Sequence, residues 1–333
     1  MSSGILGLCS FFIGFLPWAL PANELPRYFV VGRQPWRVSA DSTITRYELE
    51  PQPQIEAICG TTVFSASSDM RRAVVGRRHE LFLIDLQTGT EAQISHHGRE
   101  WDAHFAAVEV LFTSWGAHSN SILFCVMPGD TFQEDHPDLR VRRASYGFYE
   151  YDVRTKSVRK VAKPFEFQVR LSDGRMIGVD GRTPPIVQEL RWVRAGKLGP
   201  VVTPGLAGSF QVAASGDAKR LLVSVNNPPT SQIYIVDLNS GKAEAISPKG
   251  RYAEYQRPSF SPSSEHRAYL QGGPVHSGLV ATNLIVDGNQ KFGCSTFLDY
   301  AWIDEQRIGL LCDSTVYVLD AASGAILGQH AFD

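Results

Sequence analysis

His96, His97, His104, His118 and His136 gather in one stretch of the chain with Asp102 among them. Imidazole and carboxylate together form a donor set for transition metals. Their spacings match no helix or hairpin site, so a metal would need ligands drawn from separate loops; the reading adopted is solvated loop or strand-edge histidine, with no metal expected. Asp130, Glu134, Asp135, His136 and Asp138 form a second polar group. It lacks the alternating Asp/Asn positions and central glycine of a calcium loop, and reads as a solvated acidic loop suited to recognition. Basic and amide residues recur at a third set of places: Arg77, Arg78 and His79; Arg142 and Arg143; Arg182; Asn226 and Asn227. Arginine offers forked donors that fit carboxylates or phosphates, so these residues are the candidate binding site.

No motif for hydrolysis or nucleotide binding accompanies them. The chain has no Gly-x-Ser-x-Gly elbow, His-Glu-x-x-His, Walker loop or Rossmann fingerprint, which removes the usual carriers of acyl transfer, zinc hydrolysis and dinucleotide chemistry. No cofactor is expected. A composition of 43% hydrophobic and 20% charged residues is that of a globular protein, and a net charge of -2 argues against a nucleic-acid partner.

The elements that must position these residues repeat. Leu-Phe-Leu-Ile-Asp85-Leu-Gln-Thr-Gly89, Ile-Tyr-Ile-Val-Asp237-Leu-Asn-Ser-Gly241 and Val-Tyr-Val-Leu-Asp320-Ala-Ala-Ser-Gly324 each read as a strand, an Asp-anchored turn and the start of a second strand, with Phe-Tyr-Glu-Tyr-Asp152-Val-Arg-Thr-Lys156 a looser copy. A second phrase lies upstream, at Phe64 to Val75, Val169 to Val179, Val212 to Val223, Pro258 to Leu270 and Tyr300 to Leu311. The two turns stand roughly 19 to 23 positions apart, as two successive hairpins of a four-stranded meander require. Repetition at roughly 40 residues then gives blades packed about an axis, the usual solution to unprotected sheet edges.

The expected fold is all-β, a propeller of about seven four-stranded blades, with six or eight as the neighbouring counts. The blades fall near 27–59, 62–95, 104–162, 165–203, 208–248, 254–293 and 296–332. The first rests on Thr43 to Leu49 and Gln54 to Ile58, and the third carries an insertion from Met127 to Ser145 between its second and third strands. In each blade the upstream turn joins the first two strands and the Asp turn joins the last two. Asp85, Asp152, Asp237 and Asp320 are therefore turn formers rather than catalytic acids.

The pattern resembles the TolB-like propeller repeat, a relative of the WD-type blade also found in prolyl oligopeptidase and tricorn propeller domains. Ser261-Pro262-Ser263 followed by Glu265-His266-Arg267-Ala268-Tyr269-Leu270 is the nearest copy of its Ser-Pro-Asp-Gly-Lys signature, and Ser172-Asp173-Gly174-Arg175 and Ser215-Gly216-Asp217-Ala218-Lys219 are partial ones. The resemblance covers nearly the whole chain after residue 22 and implies a fold, not a chemistry.

Ile5 to Leu20 is almost wholly apolar and is followed by Pro21-Ala22-Asn23-Glu24. It is shorter than the roughly 20 residues of a spanning helix, so residues 1–22 read as a secretory signal, although no Lys or Arg precedes the run. Residues 23–333 are then a single propeller domain. The alternative is a retained membrane anchor. Once Cys9 is removed with the signal, Cys59, Cys125, Cys294 and Cys312 remain, without Cys-x-x-Cys spacing. Buried free thiols are expected, with disulfides as the alternative.

Taken together, these residues predict a periplasmic or extracellular monomeric propeller that binds a protein or peptide. Two alternatives stay open: a metal-assisted hydrolase or lactonase with ligands from several blades, and an envelope assembly factor tethered by an uncleaved N-terminus.

Overall fold

Alternation of apolar residues on either side of each turn does form strands, and the strands meander as anticipated. The computed structural model describes residues 26–31, 34–48, 64–77, 79–100, 106–116, 119–128, 146–163, 166–179, 188–227, 230–248, 250–251, 254–272, 282–295 and 298–331. Among them there is no α-helix, and the strands group into seven antiparallel sheets. The fold is a seven-bladed propeller.

Blade one contributes Arg27–Val31, Gln34–Val38 and Ile44–Arg46. Its expected strand at Gln54 to Ile58 lies outside the described residues. Blade two is Phe64–Ala66, Arg72–Arg77, Glu80–Asp85 and Glu91–Gln93. Blade three is Ala106–Trp115, Ser121–Pro128, Gly147–Asp152 and Ser157–Ala162, to which Arg99–Glu100 adds a short fifth strand upstream of the boundary expected at 104. Blade four is Glu166–Arg170, Met176–Val179, Arg191–Arg194 and Lys197–Val201. Blade five is Ser209–Ala214, Arg220–Asn227, Thr230–Asp237 and Ala243–Ala245, with Gly250–Arg251 also pairing on its third strand. Glu254–Phe260, Arg267–Gly272, Thr282–Val286 and Asn289–Cys294 form blade six; Leu298–Trp302, Arg307–Cys312, Thr315–Asp320 and Ile326–Ala331 form blade seven.

The core lies between blades. Leu171, Ile177, Val179 and Leu190 of blade four interlock with Leu221, Val223 and Val236 of blade five. Each such side chain contributes about 1.5–3 kcal/mol when fully buried. Phe29, Val31 and Trp36 of blade one pack on Val316 and Val318 of blade seven, and the Phe29 ring fills the space that a side chain at Gly309 would need. Arg27–Val31 touches the first strand of blade seven on one side and that of blade two on the other. The ring is closed there.

Both repeated turns are held by their own side chains. At the Asp turns, Asp85, Asp152, Asp237 and Asp320 accept the backbone N–H three residues on, at 2.9, 2.7, 2.8 and 2.7 Å. Gly89, Gly241 and Gly324 then take φ of 70°, 70° and 78°, whereas the looser copy places Lys156 at 55°. Hydrogen bonds to these carboxylates hold Asp85, Asp237 and Asp320 below the usual carboxylate range: the Thr88 and Ser240 backbone N–H groups lead for the first two and the Ser323 hydroxyl for the third. In the upstream turn the Ser215 hydroxyl lies 2.5 Å from Asp217 Oδ1 and accepts the Arg220 N–H at 2.9 Å; Ser67, Asp69 and Arg72 repeat this in blade two.

These upstream turns also clasp one blade to the next. Arg175 donates to the Ala218 carbonyl at 2.9 Å, Arg220 to that of Ser264 at 3.0 Å and Arg307 to that of Ser39 at 3.1 Å. The Ser68 amide donates to the Ser119 hydroxyl at 3.0 Å, and the Ser263 hydroxyl to Glu305 at 2.7 Å. Between blades three and four, Arg170 sits 2.5 Å from Glu150. Burial raises the Glu150 pKa, but hydrogen bonds from Arg170, Ser121 and Arg159 outweigh it and hold the carboxyl low.

One expectation is corrected. Cys294 and Cys312 form a disulfide, with Cα atoms 5.8 Å apart, instead of remaining thiols. Cys294 ends the fourth strand of blade six and Cys312 the second strand of blade seven, so their meeting is a contact between blades. Cys125 is a buried thiol, its pKa pushed up to about 12 by desolvation. Cys59 lies outside the described residues.

Candidate functional site at the inner strands

Blade geometry sorts the loops by face. In blades two to seven the two repeated turns lie at one end of the strands and the loop from second to third strand lies at the other; in blade one the clasped turn at Ser39 joins the second and third described strands. On the first end, side chains are occupied in clasps that recur around the ring. On the second end the connections differ: Asn227 to Thr230 and Cys312 to Thr315 are tight, while 128–147, 179–191 and 272–282 are long. Rigid scaffolds carry binding on such variable loops.

Among the described candidates, Arg77, His79, Asn226 and Asn227 belong to this second face. Arg77 ends the second strand of blade two, but its side chain runs outward across the sheet, 2.6 Å from Glu91 of the fourth strand and over the Phe82 ring. It braces the blade. His79 takes φ of 62° and its carbonyl accepts the Val110 N–H of blade three at 3.2 Å. Asn226 is half-buried near the end of its strand, opposite Ser209 and Ser231, and Asn227 closes the same strand opposite Thr230. Arg78, Arg142, Arg143 and Arg182 lie outside the described residues, as do the acidic loop from Asp130 to Asp138 and most of the insertion.

The histidine group is not brought together in what is described. His96 is exposed, whereas His97 packs tilted against Tyr149 with ring centroids 4.8 Å apart, and burial lowers its pKa. Asp102, His104, His118 and His136 lie outside the described residues.

Sequence reasoning missed a polar network that crosses the first, innermost strands of blades five, six and seven. The first strand of blade six breaks register between Gln256 and Ser259, and within that bulge Arg257 takes φ of 52°. Both of its backbone polar groups are received by neighbouring blades: the N–H donates to Gln211 Oε1 of blade five at 2.5 Å, and the carbonyl accepts from the Tyr300 hydroxyl of blade seven at 2.5 Å. Tyr300 Oη lies 2.8 Å from the Ser259 hydroxyl, which also accepts from Trp302 Nε1 at 3.1 Å. Desolvation raises the Tyr300 pKa, so its phenol stays a neutral donor. The Arg257 guanidinium pairs with Asp299 of blade seven; the two side chains are 43% and 13% exposed.

Beside them, Gln256 donates to Glu254 at 2.5 Å and Gln211 is exposed. The first strands of blades five to seven thus bring two amides, one guanidinium and two carboxylates close together. Such a surface hydrogen-bonds peptide groups and orients charged ones. One signal for it stood in the sequence: Pro258 inside a strand-like run marks a bulge.

No family model and no curated protein matches the chain. Among solved structures, a similar fold occurs in hydrazine synthase from Kuenenia stuttgartiensis, at 11% identity over 83% of this chain and 80% of that one, with a TM-score of 0.50. The likeness is one of fold. TolB from Acinetobacter baumannii matches at 12% identity over 87% of this chain and 74% of that one, TM-score 0.45. Dipeptidyl peptidase 4 from Porphyromonas gingivalis matches at 12% identity over 90% of this chain, TM-score 0.49, and there the chain spans 49% of the other protein's length.

Proposed function

We propose that this is an exported propeller, residues 23–333 after loss of a signal at 1–22, that binds a peptide or an extended segment of a protein on the face opposite the repeated turns. The observation that carries the reading is the division between the two faces. One is fixed by a clasp repeated from blade to blade, and the other carries the unlike loops. Arg78, Arg142, Arg143, Arg182, Asn226 and Asn227 are the loop residues assigned to the partner, with no nucleic acid involved at a net charge of -2.

Export is supported by the apolar N-terminal run and by the Cys294–Cys312 disulfide, since disulfides persist in oxidising compartments. A metal-assisted hydrolase has less support. Among the described residues, Cys294, Cys312 and Asp313 are the group close enough to share an ion, and two of those donors are joined to each other.

Display selection of peptides on the mature protein tests the reading. Selected peptides should lose binding when a polyethylene glycol chain is attached at position 226 and keep it when the chain is attached at position 239. Equal binding in both conjugates contradicts it.

A further inference from the structure

Two of the three large apolar side chains that stand exposed among the described residues are neighbours in the chain: Ile326 at 53% and Leu327 at 46%. Both lie on Ile326–Ala331, the outermost strand of blade seven. A single exposed apolar residue is ordinary on a protein surface, whereas an adjacent pair on a sheet edge asks for a partner.

An outer strand presents a row of unpaired N–H and C=O groups, and folded proteins blunt such edges with charge, proline or brevity. The other described outer strands of this ring are blunted in those ways. Glu91–Gln93 and Ala243–Ala245 are three residues long and carry Glu91 and Glu244. Ser157–Ala162 carries Arg159 and Lys160, Lys197–Val201 carries Lys197 and Pro200, and Asn289–Cys294 carries Lys291. Ile326–Ala331 has six residues and holds no Asp, Glu, Lys, Arg or Pro. It does break register at Leu327, but the outer strands of blades three, four and six do the same in addition to their charges.

The edge is firmly placed. Gly328 lies against the Ser42 carbonyl of blade one, where a Cβ would come within 2.5 Å, and the His330 ring packs 5.4 Å from that of Trp36. Among the described residues no strand pairs with its outer side. What fits there is an extended, uncharged strand, and this strand fits itself. Turned antiparallel about a two-fold axis between Gly328 and Gln329, it sets Ile326 opposite Ala331 and Gln329 opposite Gly328, a large side chain against a small one both times, with Leu327 opposite the imidazole of His330. No Asp, Glu, Lys or Arg of the strand enters that register, so no like charges face one another across it.

We propose that two copies of this chain pair through Ile326–Ala331, joining their seventh blades into one continuous sheet, in place of the monomer expected from the sequence. Such a two-fold pairing closes on itself and leaves no free edge at blade seven for a third copy. One pair of six-residue strands covers less than the roughly 1,200 Å² of a stable interface, so the dimer is a weak one that forms with rising concentration.

Sedimentation equilibrium of the mature chain, from low micromolar to millimolar concentration, tests it. The mass of wild type should rise towards twice that of one chain. Ile326→Lys with Leu327→Lys should weaken association at least about tenfold, because like charges then meet across the two-fold axis. Both positions are exposed, so the variant should melt with wild type. Val158→Lys, at the third exposed apolar residue, should associate as wild type does. A free peptide copying residues 326–331 should return wild type to single chains. Single chains at every concentration overturn the proposal, and so does a dimer that the double variant and the peptide leave intact. A display-selected peptide that crosslinks at position 327 of a chain that never dimerises would assign the edge to a foreign strand and overturn it as well.

Discussion

Arg307 donates a 3.1 Å hydrogen bond to the carbonyl of Ser39 and thereby joins the last blade to the first. Two residues near opposite ends of the chain use the bond that Arg175 makes to Ala218 and Arg220 makes to Ser264 between consecutive blades. The turn at Ser39 also copies the repeated upstream turn: the Ser39 hydroxyl lies 2.6 Å from Asp41 and Ser42 takes φ of 66°. Ring closure therefore reuses the clasp of the repeat, added to the apolar packing of Phe29, Val31 and Trp36 on blade seven.

Removing that clasp should be felt by the whole ring. Arg307 also binds Asp304 at 2.7 Å. Arg307→Met is expected to lower unfolding free energy by about 1.5–3 kcal/mol, the range for a hydrogen bond to a charged group. Urea denaturation measures it. A midpoint equal to wild type at unchanged slope would show that the seam does not depend on the bond.

Lys156 offers the opposite experiment. It holds the left-handed position that Gly89, Gly241 and Gly324 hold elsewhere. Lys156→Gly should relieve about 1–2 kcal/mol of backbone strain, partly offset by a freer unfolded chain, for a net gain of about 0.5–1 kcal/mol. A loss of stability in thermal melts contradicts this account of the turn.

What the sequence revealed and what it hid follow from the range of the interactions. The two turns of a blade are local, so Asp85, Asp237 and Asp320 could be read as structural from Ser, Thr and Gly at fixed offsets. Blades two to seven were placed that way, because hairpin chemistry lies within a few residues, whereas the first rested on the strand-like runs Thr43 to Leu49 and Gln54 to Ile58. The disulfide, the Arg257 network and the clasps join different blades, at separations such as 18 for Cys294 and Cys312. No local pattern carries those partners. Arg77 looked like a candidate for binding because a basic residue beside a loop is indistinguishable in sequence from one that folds back on Glu91 and Phe82.

Acid should loosen the Asp turns. The Asp85, Asp237 and Asp320 carboxyls are held below their unfolded value of about 3.9 by hydrogen bonds that are stronger to the ionised form. Their stabilisation is fully present above that value and is lost as pH falls through the lowered folded values. The melting temperature should therefore fall below about pH 4. Asp320→Ala should melt lower than wild type near neutral pH and converge with it in acid. A constant difference across the acid limb would assign the effect to something other than the ionised carboxylate.

The disulfide between blades six and seven closes a short loop. Its reduction should cost up to about 3 kcal/mol in the chain-entropy view. Cys294→Ser with Cys312→Ser should reproduce the loss, seen as a lower denaturation midpoint. Cys125, buried and with its thiol pKa near 12, should stay unalkylated by iodoacetamide until the chain unfolds. Labelling of Cys125 in the native protein would contradict its burial.

The division of the propeller into a clasped face and a binding face is tested most directly by photo-crosslinking a display-selected peptide. A crosslinking residue replaces Asn226 at the end of a second strand in one variant, and Asn239 in an Asp turn of the same blade in another. The account predicts adducts at position 226 and none at position 239. Adducts formed at position 239, with none at position 226, would place binding on the wrong face and contradict it.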